Sequence, residues 1–198
     1  MRRVVITGVG LVTPIGAGRE TFWGNLTSGV NGIGPVESFD TSAFPVHIGA
    51  EVKDFHPQST LGRGSQLAVA AARMALEDSG IDVRSRDRAR VGVSMGTTSG
   101  EPGMVERYND ARKSGGLESV PAEILPKYPC NVIPSNVAIE FDLHGPCLMI
   151  PTACAAGNYA IGYGFDALRL GRANLMLDRK STRLNSSHSR ASRMPSSA

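Results

Sequence analysis

The character of the chain changes abruptly at Cys154. An apolar run, Cys147-Leu-Met-Ile-Pro-Thr-Ala153, ends there, and a run of small helix formers, Ala155-Ala-Gly-Asn-Tyr-Ala-Ile161, begins. A short apolar run passing directly into a helical one reads as a buried strand that turns sharply into a helix. Such a turn leaves its central residue exposed, with the helix's unpaired N–H groups and positive dipole end aimed at the side chain. A thiol placed there tends towards thiolate, the form that attacks a carbonyl carbon. Cysteine can instead serve as a small buried hydrophobe, but the strand–Cys–helix setting favours Cys154 as a nucleophile.

The pattern elsewhere supports alternating strands and helices, and hence an α/β domain. Val4 to Thr7 reads as a buried strand, and Arg19 to Ser28 as a helix stopped by Gly29. Residues 30 to 60 form a long irregular excursion with short extended pieces such as Val46 to Val52. An amphipathic helix over Ser65 to Ser79, with Leu67, Ala70, Ala71 and Met74 on one face, stops at Gly80. Arg90 to Thr97 is the next strand. Helices are expected over about 103–113 and 132–142, the second ended by His144-Gly145-Pro146. The helix after Cys154 is apolar or small on nearly every face until Asp166 and Arg169, which predicts burial all round. Gly157, Gly162 and Gly164 each cost about 1 kcal/mol inside a helix, a cost that close packing would offset.

Several function classes are disfavoured. The formal charge of +3 suggests nucleic acid, yet residues 179–198 hold five basic residues and no acidic one. Residues 1–178 carry 16 basic against 18 acidic residues, so the body is mildly acidic and presents no basic stripe with interleaved aromatics. Gly8-Val-Gly10 after a strand resembles a dinucleotide fingerprint, but Thr13 and Pro14 stand where a glycine and an opening helix are required. A hydrolase elbow needs glycines two residues either side of its nucleophile, where this chain has Thr152 and Ala156. No apolar stretch reaches membrane length, and Thr7, Thr13 and Pro14 interrupt an N-terminal run that otherwise resembles a signal peptide. Three cysteines in such a chain point to the reducing cytoplasm.

The wider segment Gly145-Pro-Cys-Leu-Met-Ile-Pro-Thr-Ala-Cys154-Ala-Ala-Gly-Asn-Tyr-Ala-Ile161 resembles the active-site segment of beta-ketoacyl-acyl-carrier-protein synthases. The opening Arg2-Arg-Val-Val-Ile-Thr-Gly-Val-Gly-Leu-Val-Thr-Pro-Ile-Gly16 is similar to that family's first strand and loop. Phe22-Trp-Gly-Asn-Leu26 and Val91-Gly-Val-Ser-Met-Gly-Thr97 also fall where the family places related segments. The similarity runs from about residue 2 to residue 177. It implies the N-terminal half of a thiolase-like fold, a mixed sheet with buried and covering helices. It also implies an acyltransferase of fatty acid or polyketide assembly: Cys154 takes an acyl group from acyl-carrier protein, and that group condenses with malonyl-carrier protein after decarboxylation. The expected partner is the carrier's phosphopantetheine-linked acyl substrate, and full-length relatives are expected to be homodimers. No metal and no organic cofactor is implied. A thiolase using coenzyme A thioesters is the nearest rival, and a catalytically dead half-domain the non-enzymatic one.

The resemblance assigns two histidines, a lysine and part of the oxyanion hole to a second half, so this chain alone is expected to be inactive. Residues 1–177 are expected to form the half-domain. Residues 178–198, with seven serines and almost no apolar content, read as a disordered, non-native appendage. A fragment of this kind would expose an apolar face and aggregate. His144 is expected to serve a helix C-terminus, and His47, His56 and His188 to be surface or edge residues. Cys130 and Cys147 are expected to be packing residues, with an acyl-pocket wall a minor alternative for Cys130. Asn158 and Tyr159, one turn into the helix, could line the site.

Overall fold

The computed structural model describes residues 3–57 and 59–180. Its centre is a three-stranded parallel sheet ordered β6-β5-β7, made of β5 (Val91–Gly96), β6 (Cys147–Ile150) and β7 (Leu175–Lys180). Val93 pairs with Cys147 on one side and Leu177 on the other. Antiparallel pairing is confined to two small ribbons, β1 (Val12–Thr13) with β2 (Gly16–Ala17), and β3 (Ile33–Pro35) with β4 (Ile48–Ala50). The helices are α1 (Arg19–Thr27), α2 (Arg63–Ser79), α3 (Pro102–Gly115), α4 (Val132–Glu140) and α5 (Ala156–Arg169).

Every residue of β5 is buried, and strand alternation divides its side chains between two layers. Val91, Val93 and Met95 enter the main core with Ala68 and Ala72 of α2 and Ile133 and Val137 of α4. The opposite face carries only Gly92, Ser94 and Gly96, and α5 lies close against it. A Cβ on Gly96 would overlap the carbonyl carbon and oxygen of Ala156. Ser94 Oγ donates to the Ala160 carbonyl at 3.0 Å in a buried bond. Ala156 and Ala160, both fully buried, supply the matching small surface of α5.

Helix boundaries follow their chemistry. Gly29 follows α1 at φ 72°, and Gly80 caps α2 in the left-handed region at φ 65°, both favourable for glycine. Helix α2 has no capping side chain at its own N-cap, Gly62. The carboxylate of Glu101, 2% exposed, does that work from the residue before α3, accepting the N–H groups of Gly64 at 2.9 Å and Ser65 at 2.7 Å. Asn136 of α4 donates to Ser65 Oγ at 2.9 Å and extends the network.

The structure corrects three expectations. Val4 to Thr7 is neither a strand nor buried, with Val5 61% and Ile6 86% exposed. Both edges of β5 are already taken by β6 and β7. Residues 8–10 lie instead on α2, where Cβ atoms on Gly8 and Gly10 would overlap the carbonyl oxygens of Ala75 and Ala71. Val9 N–H donates to Asp78 there. These two glycines therefore serve close strap-to-helix packing. The second correction concerns α2, whose fully buried positions are Ser65, Ala68, Ala71 and Ala72; of the predicted face only Ala71 is among them. The third concerns α5, which is buried along Ala156, Gly157, Ala160, Gly164 and Ala167 but leaves Tyr159, Ile161 and Phe165 exposed. Gly162 faces open space, so close packing does not offset its helical cost. Strand β7 runs through Asp178 to Lys180, which pair with Ser94 to Gly96. The remainder of the expected tail, 181–198, lies outside the described residues.

Candidate active site

The chain runs from Ile150, the last residue of β6, through Pro151 and Thr152 into a 3-10 turn over Ala153–Ala155, and α5 begins at Ala156. Cys154 occupies the middle of that turn and is exposed. Ala153, immediately before it, has φ 48°, a left-handed value that costs a side-chain-bearing residue on the order of 1–2 kcal/mol. Strain of this kind at the residue before a presented side chain makes a sharp corner between strand and helix. The Ala155 N–H donates to the Thr152 carbonyl at 3.2 Å and closes the turn. The N-cap residue of α5, Ala155, makes no side-chain capping hydrogen bond, and the positive end of this 14-residue helix lies at the thiol's turn.

The location suits chemistry. Parallel pairing of Gly96 with Ile150 brings the carboxyl ends of β5 and β6 together, and in open parallel sheets ligands bind at those ends. The segment leaving β5 contributes Thr97, 5% exposed, whose Oγ1 accepts the Ser99 N–H, and Gly100 at φ 57°. An added Cβ on Gly100 would sit 3.1 Å from Cys130 Cα, so the two loops are in close contact.

The other cysteines differ in setting. Cys130 is half-buried just before α4. Cys147 opens β6, an edge strand, and is exposed rather than packed, correcting the expectation for it. Part of its surroundings is nevertheless apolar, and that desolvation raises its thiol pKa above the ordinary 9.0, against a lowering hydrogen bond with Ser135. The histidines with resolved partners are engaged away from the turn. His144 Nε2 meets Asp142 Oδ1 at 2.6 Å, so its ring does not hydrogen-bond the end of α4 as expected. His47 Nδ1 meets Thr41 Oγ1 at 3.1 Å. His188 lies outside the described residues. Asn158 and Tyr159 are exposed on the first turns of α5.

The sequence pointed to the strand-to-helix junction around Cys154 but not to the residues that fix its corner. Ala153 carries no signal of its left-handed backbone, because alanine is ordinarily at home in helices. Ser94 and Gly96 look like unremarkable members of an apolar strand, and only the packing of α5 on β5 reveals their contacts. Among the described residues no group of three or more His, Cys, Asp or Glu side chains could hold a metal ion. No helix of the described residues is long and apolar enough to cross a membrane.

Comparison with known proteins converges on one family. Residues 1–178 match the family model for the beta-ketoacyl synthase N-terminal domain. The chain is 36% identical over 184 residues to a 3-oxoacyl-[acyl-carrier-protein] synthase 2 of Coxiella burnetii, covering 89% of this chain and 44% of that protein. The ishigamide ketosynthase/chain length factor superposes with a TM-score of 0.86 at 31% identity, over 94% of this chain and 49% of that one. A type II PKS acyl-carrier protein in complex with its ketosynthase bound to the hexaketide gives a TM-score of 0.78 at 26% identity, over 90% of this chain and 45% of that one. The chain thus spans less than half the length of the relatives it matches. Its fold is the thiolase-like fold of the ketosynthases, and it belongs to the beta-ketoacyl synthase family, whose N-terminal domain it carries.

Proposed function

We propose that this domain supplies the acyl-carrying nucleophile of a decarboxylative condensing enzyme of fatty acid or polyketide assembly. The observation that supports this reading is the exposed Cys154 in a strained turn at the N-terminus of α5. In the first step the Cys154 sulfur attacks the thioester carbonyl of an acyl-carrier protein. The carbon–sulfur bond to the phosphopantetheine arm breaks, the carrier leaves as its thiol, and the acyl group remains on Cys154. In the second step a malonyl thioester loses carbon dioxide, and the resulting carbanion attacks the acyl-enzyme carbonyl and expels the Cys154 thiolate.

Both steps build negative charge on a thioester oxygen, where one fixed donor is worth roughly 3–4 kcal/mol. The Cys154 backbone N–H, on the first turn leading into α5, is the donor this domain offers. The whole condensation belongs to an enzyme carrying the further groups that the family resemblance assigns to a second half. For this chain alone, acylation of Cys154 without condensation is proposed. The 3-oxoacyl-[acyl-carrier-protein] synthase relative supports acyl-carrier protein as the donor, as does the ketosynthase neighbour in complex with its carrier.

The thiolase alternative makes a different demand on the substrate. Acyl-carrier protein and acyl-coenzyme A, offered side by side to the 198-residue chain, separate the two. Faster transfer from the carrier thioester supports the synthase reading, and transfer from coenzyme A alone contradicts it.

A further inference from the structure

We infer that Gly96, seconded by Ser94, is a positioning residue for Cys154, acting through the first two turns of α5. The inference rests on the nucleophile reading of Cys154. Three observations carry it. Gly96 is the last residue of β5 and is buried, and the place of its missing Cβ is filled by backbone atoms of Ala156, not by a flexible side chain that could move aside. Ala156 is the first residue of α5, two residues after Cys154. One turn further on, the Ala160 carbonyl is held by Ser94 Oγ at 3.0 Å, with Ser94 itself fully buried.

Helix α5 is thus registered on β5 at two points one helical turn apart, by a backbone approach at Ala156 and a hydrogen bond at Ala160. Registration matters because the corner it holds is strained at Ala153. A left-handed alanine persists only where its surroundings over-determine it. If α5 lifted from β5, Ala153 could relax to an ordinary conformation, and Cys154 would leave its place at the helix end. The small face of β5 is therefore built for position, and the hydrophobic core lies on the other side of the strand, with Val91, Val93 and Met95.

The test uses the whole 198-residue chain and the rate at which iodoacetamide alkylates Cys154 at pH 7, read by peptide mass spectrometry against glutathione in the same tube. Gly96→Ala is compared with Val137→Ala, which weakens the other face of β5 without touching α5's register, both at temperatures where melting curves show the native state. The expected result is that Cys154 in the parent chain reacts faster than glutathione. Gly96→Ala should cut that rate about fivefold, the size of a lost helix-end interaction, and Val137→Ala should leave it within about twofold. Equal slowing in both variants, or none in Gly96→Ala, overturns the positioning role while leaving the nucleophile reading intact. A parent Cys154 no faster than glutathione overturns the nucleophile reading and this inference with it. Should Gly96→Ala fail to fold, Ser94→Ala carries the same comparison, with a twofold to threefold slowing expected and an unchanged rate contradicting the inference.

Discussion

Glu101 and Ser65, 36 residues apart, meet in a buried hydrogen bond in which the Glu101 carboxylate accepts the Ser65 N–H at 2.7 Å. With the Gly64 N–H on its other oxygen, this carboxylate satisfies two of the donors that α2 leaves open at its N-terminus. Because Glu101 immediately precedes α3, the bond also ties the loop after β5 to the helix beneath it. Glu101→Ala orphans one buried and one part-buried N–H group and should destabilise the chain by about 2–4 kcal/mol, seen as a lower urea midpoint at unchanged slope. Gly62→Ala should do similar harm, since its Cβ would overlap the Glu101 carboxyl group. An unchanged midpoint in Glu101→Ala would show that the cap is dispensable.

That cap marks where sequence reading stops. The bounds of α1 and α2 were legible because Gly29 and Gly80 act locally, whereas α4 ends at Glu140, ahead of the His144-Gly145-Pro146 stop, with Asp142 turning the chain at φ 53°. The strand–Cys–helix junction was legible because it too is local. Contacts between distant segments were not, because Glu101 on Gly64 and Gly96 on Ala156 leave no periodicity in the chain. Val4 to Thr7 misled reading most: its composition is that of a strand, but Gly8 and Gly10 commit the following residues to α2.

The strained corner gives a test of its own. Ala153 at φ 48° accepts glycine readily and β-branched residues poorly. Ala153→Gly should be neutral or stabilising by about 0.5 kcal/mol, and Ala153→Val destabilising by about 2 kcal/mol, measured by urea unfolding. Equal effects of the two substitutions would contradict a left-handed residue at this position.

Asp178 on β7 lines a cleft of about 650 Å³ bounded by residues 3–10, α2 and α5. Its side chain reaches solvent at the cleft, yet desolvation by its surroundings raises its carboxyl pKa above 3.8. A carboxyl raised in the folded state favours folding when protonated, and that contribution is lost as pH rises through the folded pKa. Asp178→Asn should therefore raise the melting temperature at pH 7 relative to the parent and give no such gain near pH 3. A gain of equal size at both pH values would rule out the titration as its source.

Ile161 and Phe165, one turn apart on α5, leave apolar surface exposed on one face of the helix, and exposed apolar patches promote association. Light scattering of the chain should show self-association that Ile161→Ser with Phe165→Ser reduces. A parent chain that remains a discrete monomer at tens of micromolar would contradict this expectation.

One sulfur of three carries the acyl group. Peptide mapping of the chain after incubation with an acyl-carrier-protein thioester decides which, because Cys130, Cys147 and Cys154 fall in different surroundings and only Cys154 stands at the start of a long helix. The expected result is one acyl adduct, confined to Cys154 and abolished by Cys154→Ala. An adduct on Cys147 or Cys130 that survives Cys154→Ala would contradict it.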